Sequence, residues 1–100
     1  MNNDVFLTSD LARAARAFTK VSAQTIADAA GLTRAQVRNF ERGKIDLPLE
    51  AKARLKETLE RYGALFIPEE EHAGYGVRRR LPREGYMKLN VWEAEGGQPG

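Results

Sequence analysis

The side chains best suited to chemistry lie in a basic stretch near the middle of the chain, residues 34–44, with four basic residues against one acid. In such a stretch arginine can bond guanine, asparagine can bond adenine, and the positive charge attracts a phosphate backbone. A solvated helix face explains the charge equally well, so charge alone does not decide. The polar side chains are Arg34, Gln36, Arg38, Asn39, Glu41, Arg42 and Lys44.

Residues 34–42 have the spacing of a short helix with one buried side. At about 100° per residue, Val37 and Phe40 mark that side, and Ala35 and Asn39 point nearly opposite to it. A small Ala between polar side chains lets such a helix approach base edges closely. The outward side presents Arg34, Ala35, Gln36, Arg38, Asn39 and, at its edge, Arg42.

A second short helix, predicted at 23–30, must position the first. Ser22 and Thr33 suit the two N-caps, and Gly31 suits the tight turn between the helices. Small residues permit a steep helix crossing, and apolar residues from both helices can share one core. The small residues are Ala27, Ala29 and Ala30; the apolar ones are Ile26, Leu32, Val37 and Phe40. This pattern is typical of a helix-turn-helix.

Further elements flank this motif. A helix is predicted at 9–18, with an apolar stripe, and another at 49–62, entered through Pro48. The first stripe is Leu11, Ala14, Ala15 and Phe18; the second is Leu55, Leu59 and Tyr62. Beyond Gly63 the pattern changes to two or three short strands, at 64–67, 76–81 and 87–92. The tail at 96–100 is predicted to be disordered.

Residues 9–63 resemble the Cro/cI-like, lambda-repressor-like helix-turn-helix domains of the XRE family. The resemblance is carried by LARAARAF, by VSAQTIADAAGLTRAQVRNFERGK and by the Pro48-led helix ending in ERYG. It implies a mainly α fold: a four- to five-helix DNA-binding domain over 1–63, with its motif at 23–42. A short β extension would follow at 64–95. The resemblance further implies that residues 34–42 enter the major groove of DNA.

The resemblance also implies roles for individual residues. The expected base-reading set is Arg34, Ala35, Arg38 and Asn39. The expected phosphate contacts are Ser22, Gln24, Thr33, Gln36, Arg42, Gly43 and Lys44. Arg16 and Glu41 match a structural ion pair between the first helix and the recognition helix. One position departs from the family, which has Gln directly after the Ser22 position; here Ala23 stands there and Gln24 follows, which puts that phosphate contact in doubt.

The extension suggests how two copies could act together. Strand-like segments can pair across a two-fold axis, so we expect a homodimer that binds a palindromic operator on double-stranded DNA. The run Arg78, Arg79 and Arg80 fits a second DNA contact and the protection of a strand edge equally well.

The expected function is sequence-specific DNA binding by a transcriptional regulator, for which repression is expected although the sequence itself does not distinguish repression from activation. The alternative is an antitoxin that binds its toxin through the extension and regulates its own operon. An adaptor without DNA binding is disfavoured by Arg34, Arg38 and Asn39 on the exposed face.

Composition argues against other classes of protein. The chain has no cysteine and one histidine, His72, so we expect no disulfide, metal site or cofactor. Glu69, Glu70 and Glu71 form a solvated charge run, and no catalytic constellation is present, so we expect no enzyme. No apolar run approaches the roughly 20 residues of a membrane span, and the N-terminus lacks a secretory pattern. We therefore expect a cytoplasmic protein.

Overall fold

Residues 6–81 are described by a computed structural model, which shows four helices followed by a two-stranded antiparallel sheet. The elements are α1 (Ser9–Thr19), α2 (Ala23–Ala30), α3 (Arg34–Glu41), α4 (Leu49–Arg61), β1 (Ala64–Ile67) and β2 (Gly76–Arg79). Each predicted helix is present, with ends within one residue of those expected. The strand predicted at 87–92 and the tail predicted at 96–100 lie outside the described residues. Within residues 6–81 no helix is both long and apolar enough to cross a membrane.

The first two helices begin at hydroxyl side chains, which satisfy backbone N–H groups that have no partner inside the helix. Thr8 caps α1 by accepting from the Leu11 N–H at 3.3 Å. Ser22 caps α2 by accepting from the Thr25 N–H at 3.1 Å. Gly31 ends α2 with φ 74°, a left-handed conformation that a Cβ would strain. The expected capping and turn residues therefore define the start of the motif.

One apolar core joins the four helices to the inner face of the sheet. Its larger members are Leu7, Leu11, Ile26, Val37, Phe40, Leu47, Leu55 and Leu59. Burying a side chain of this size contributes about 1.5–3 kcal/mol. Because α2 and α3 both contribute to this core, apolar packing is one of the interactions that set their relative orientation.

Three residues predicted to lie on buried faces are exposed, so those predictions were wrong: Phe18, Ala29 and Tyr62. In α1 the buried face is rotated away from Phe18 toward Thr19, whose hydroxyl donates to the Arg16 carbonyl at 2.7 Å. A threonine whose hydroxyl is hydrogen-bonded in this way can occupy a buried position in place of an apolar residue. Ala29 lies off the α2 face formed by Ala23, Ile26, Ala27 and Ala30. Tyr62 follows the end of α4, where helical spacing no longer applies.

The two faces of the hairpin differ in their surroundings. Phe66 lies across from Val77 on the inner face, and both pack against the core. Leu65 lies across from Arg78 on the outer face, where Leu65 remains 44% exposed. The sheet therefore covers one side of the helical domain and presents a partly apolar surface outward.

Two contacts of Tyr75, just before β2, fix the hairpin to α1 and to the residues that precede it. The Tyr75 hydroxyl donates to the Asp10 carboxylate at 2.9 Å, and the Tyr75 ring meets the edge of the Phe6 ring with centroids 4.8 Å apart. Hydrogen bonds from Thr8 and Tyr75 hold the pKa of Asp10 below its ordinary value. The N-terminal end of α1 is thus tied to the sheet.

Candidate nucleic-acid interface

The outward side of α3 carries the residues that the sequence singled out for base recognition. Arg34 and Ala35 are exposed at the N-terminal end of the helix, and Arg38 and Asn39 are half-buried one turn further along. Behind them, Val37, Phe40 and Glu41 are buried. The helix therefore presents its donors at the N-terminal end and flanks, where side chains of a helix in the major groove reach base edges.

A reciprocal pair of hydrogen bonds fixes the N-terminus of α3. The Gln36 N–H donates to the Thr33 hydroxyl oxygen at 3.0 Å, and the Thr33 N–H donates to Gln36 Oε1 at 2.9 Å. This is a capping box, which satisfies two backbone donors at once. The box uses the side-chain oxygen of Gln36 and leaves its NH₂ group to donate. Both residues, expected to contact phosphate, therefore also set the geometry of the helix start.

The C-terminus of α3 is tied to α1 by the expected ion pair. The Arg16 guanidinium donates twice to the Glu41 carboxylate, with Nε–Oε2 at 2.6 Å and Nη2–Oε1 at 2.9 Å. The Glu41 side chain is 4% exposed and that of Arg16 is 24% exposed. The hydrogen bond with Glu41 holds the pKa of Arg16 above its ordinary value. Such a bidentate pair fixes distance and orientation together.

Two further arginines brace the motif, and sequence reasoning missed both. Arg13 Nη1 donates to the Glu41 carbonyl at 2.9 Å, so α1 holds α3 by its backbone as well. Arg54 Nε donates to the Ala30 carbonyl at 2.9 Å, at the end of α2. Helical spacing could have indicated the Arg54–Glu50 pair, observed at 3.5 Å. No sequence pattern specifies a side chain that reaches a distant carbonyl.

The N-terminus of α2 holds the other expected phosphate contacts. Ser22 and Gln24 are both exposed. The Ser22 hydroxyl donates to the Thr25 hydroxyl at 3.1 Å in addition to capping the helix. Gln24 Nε2 donates to Asp28 Oδ1 at 2.8 Å, so the side-chain amide of Gln24 is bonded to a residue one turn further along α2. The Gln24 side chain is therefore engaged within its own helix.

An exposed loop follows α3 and contains Arg42, Gly43 and Lys44. Gly43 has φ 76°, which favours glycine at this position. The Lys44 N–H donates to the Asn39 carbonyl at 2.8 Å, which folds the loop back on the helix end. The loop thus adds two cations beside the polar side of α3.

The three consecutive arginines Arg78, Arg79 and Arg80, of which the last follows the end of β2, do not share one surface. Because side chains alternate along a strand, Arg78 and Arg80 lie on the exposed outer side, whereas Arg79 lies across from Ala64 on the inner side and is half-buried. Of the three arginines considered for a second DNA contact or for protection of a strand edge, two therefore point outward. The sheet packs on α1 and α4, whereas α3 packs on α1 and α2.

Comparison with known proteins adds no assignment to this geometry. The chain matches no model of a protein family and no curated protein sequence.

Proposed function

We propose that this protein binds double-stranded DNA sequence-specifically and acts as a transcriptional regulator of the Cro/cI-like class, as a repressor. In this proposal the four helices form a lambda-repressor-like domain and α3 enters the major groove. The observation that carries the proposal is that α3 is held at both ends while its outward side remains accessible. A capping box holds its start, and two arginines of α1 hold its end.

The dimensions and chemistry of α3 suit the major groove. An eight-residue helix is about 12 Å long, close to the width of the groove. Arg34 and Arg38 are donors for guanine O6 and N7, Asn39 can donate to and accept from adenine, and Ala35 leaves room for a thymine methyl group. These four side chains would read bases, because they occupy the outward side of the helix.

A second set of groups would hold the DNA backbone. Arg42 and Lys44 lie in the loop beside α3, and Ser22 lies at the exposed N-terminus of α2. Cations and hydroxyls at such positions bond phosphate oxygens and set the register of the protein on the duplex. Their contribution is independent of sequence and falls as salt concentration rises.

A homodimer would supply the rest of the specificity. One short helix reads few base pairs, whereas two helices placed about 34 Å apart read both halves of a palindrome. The outer face of the sheet supports this part of the proposal, because Leu65 is 44% exposed there and Ile67 is half-buried beside it. We assign the dimer contact to this face.

The same exposed residues support a second candidate, an antitoxin that binds its toxin through the sheet. Leu65 and Leu81 are both large exposed apolar residues in this region. The antitoxin would retain DNA binding by α3 and bury the outer face against the toxin instead of a second copy.

Selection of bound duplexes from a random DNA pool tests the proposal. We expect a palindromic site whose affinity falls linearly with the logarithm of salt concentration. Sedimentation of the purified protein separates the two candidates, because the regulator dimerises alone and the antitoxin needs its partner. Binding that ignores both sequence and salt would contradict both candidates.

A further inference from the structure

The outer face of the β1–β2 hairpin changes in character along its length. In its middle, Leu65 is exposed and Ile67 is half-buried beside it, whereas Gly76, across from Ile67, carries no side chain. At the open end of the hairpin, where the chain enters β1 and leaves β2, Arg78 and Arg80 are exposed. The face therefore passes from two cations to an apolar middle.

The turn that closes the hairpin carries the opposite charge. Glu69, Glu70 and Glu71 lie there, and all three are exposed. The turn is closed by two backbone hydrogen bonds: the Glu70 N–H donates to the Ala73 carbonyl at 2.9 Å, and the Ala73 N–H donates to the Glu70 carbonyl at 3.3 Å. The hairpin thus has an acidic turn at one end and a basic open end at the other.

The two charged ends lie at equal distances from the centre of the hairpin. Along the chain, Gly63 is three residues before Phe66 and Glu69 is three residues after it. The Arg80 N–H donates to the Gly63 carbonyl at 2.8 Å, which places Arg80 level with Gly63. At about 3.3 Å per residue, each charged end is about 10 Å from Phe66 along the strand.

We propose that a second copy of the chain packs on this face with its hairpin antiparallel to the first, across a two-fold axis level with Phe66. A half-turn about this axis brings Glu69 of each copy to Arg80 of the other. It also sets Leu65 of each copy against Ile67 of the other. Parallel hairpins would bring like charges together at both ends, which is unfavourable across an interface.

The other outward cation of β2 has room in this arrangement. Arg78 is level with Leu65, so the half-turn sets it against Gly76 of the second copy. A Cβ added at Gly76 would meet nothing within 4 Å, so the surface there is open. The Arg78 side chain can therefore lie over this open strip with its stem against apolar surface.

Charge complementarity favours a second copy over other occupants of this face. DNA would be repelled by the acidic turn. An unrelated protein would need the same charges and apolar groups in reverse order, which a second copy has by symmetry. The inference rests on the homodimer of the proposed function and adds how the two copies meet. The recognition helix α3 takes no part in it.

Charge reversal at each end of the hairpin, made in the full chain, tests the orientation. One variant combines Glu69→Lys with Glu71→Lys, and the other carries Arg80→Glu. Each variant alone brings like charges together at both contacts of an antiparallel dimer. By sedimentation equilibrium at low salt, we expect each to raise the dissociation constant of the dimer by about tenfold or more. Parallel hairpins would not be weakened by either change, and unchanged dissociation constants would overturn the proposal.

An equimolar mixture of the two variants completes the test. In a mixed dimer one contact keeps the native charges and the other has them exchanged, so both contacts are attractive. The mixture should therefore form dimers with nearly the affinity of the unmodified protein. A mixture that stays monomeric would overturn the proposal.

The matched control combines Glu50→Lys with Glu57→Lys, which makes the same change of charge at exposed positions of α4 and should leave the dimer intact. Circular dichroism verifies that the helices are intact in every variant. Equal losses in the control and the turn variant would overturn the proposal. So would Arg80→Glu if it lowers DNA affinity and leaves the dimer unchanged.

The outcomes separate this inference from the proposed function. If the unmodified protein dimerises and neither reversal weakens the dimer, the antiparallel contact is wrong and the homodimer stands. If the unmodified protein is monomeric, both the contact and the homodimer are wrong. Selection of bound duplexes still tests DNA binding by α3 in either case, because none of these substitutions lies in α3.

Discussion

The helical motif and the C-terminal sheet are attached to the molecule by different interactions. In the motif, arginine side chains reach partners 24 to 28 residues away: Arg13 and Arg16 hold Glu41, and Arg54 holds the end of α2. The sheet is attached by packing of its inner apolar residues and by the hydroxyl of Tyr75. Hydrogen bonds and an ion pair help to fix the position of α3. Apolar packing mainly determines which face of the sheet is turned toward the core.

This difference separates the ligands that the two regions can bind. The polar bonds that position α3 come from behind and from its ends, so its outward side keeps donors for a polar, charged ligand. The outer face of the sheet keeps Leu65 and Ile67 at its surface, which suits an apolar partner. In our proposal, one short chain thus has its surface for DNA and its surface for a protein partner on different elements.

The largest expected effect follows from breaking the attachment of α3. Glu41→Gln leaves Arg16 without a charged partner in a largely buried position, and breaking such a pair costs about 3 kcal/mol of unfolding free energy. Denaturant unfolding measures this loss. The matched control, Glu50→Gln, breaks the exposed pair with Arg54 and should cost at most about 0.5 kcal/mol. Equal losses in the two variants would show that α3 does not depend on its ion pair.

A charge on the outer face of the sheet tests the second surface. Leu65→Lys places repelling ammonium groups where we expect two copies to meet, so sedimentation should show monomers. Leu49→Lys, on the exposed side of α4, changes the same residue type elsewhere and should leave the dimer intact. If the Leu65→Lys variant still forms dimers, the dimer interface does not lie on the outer face of the sheet.

The cations of the two regions should differ in their effect on DNA binding. Lys44→Ala removes one expected phosphate contact, so affinity should fall for all sequences alike. The slope of the logarithm of affinity against the logarithm of salt concentration (the salt slope) should decrease in magnitude by about 1. Arg78→Ala changes a cation of the sheet, which packs away from α3, and should leave the slope unchanged. If Arg78→Ala lowers the affinity for DNA as much as Lys44→Ala does, the sheet also contacts DNA.

The smallest effect concerns the bond between Tyr75 and Asp10. Tyr75→Phe removes one of the hydrogen bonds that lower the pKa of Asp10, so an NMR titration should show that pKa rising toward its ordinary value. A lowered pKa in the folded state gives stability at neutral pH that is lost as the pH falls through it. The variant should therefore lose less stability on acidification. An unchanged pKa would assign the shift to Thr8.

The helices could be predicted because their signals are local. Ser22, Thr33 and Gly31 mark starts and stops that depend on neighbouring residues, and the structure places caps and a left-handed turn at these positions. Apolar spacing likewise predicted the burial of Val37 and Phe40. Local hydrogen bonds and periodicity are sufficient to define such elements.

The remaining features depend on contacts that spacing does not encode. The buried face of α1 was predicted from apolar residues alone. The burial of Thr19, whose hydroxyl is hydrogen-bonded, was therefore missed, and Phe18 was wrongly predicted to be buried. Arg13 reaches a carbonyl, and every residue has one, so no residue type marks its partner. The run of Arg78, Arg79 and Arg80 was considered as a unit, but the alternation of side chains divides it between two faces.

The central claim, that α3 reads base edges in the major groove, is tested most directly by a double-mutant cycle across the interface. The duplex selected from the random pool is prepared with 7-deazaguanine at each guanine in turn, which removes the N7 acceptor and keeps base pairing. At one guanine of each half-site we expect a loss of about 1–3 kcal/mol with the unmodified protein and almost none with Arg34→Ala. Losses that are the same for both proteins at every guanine would contradict the claim.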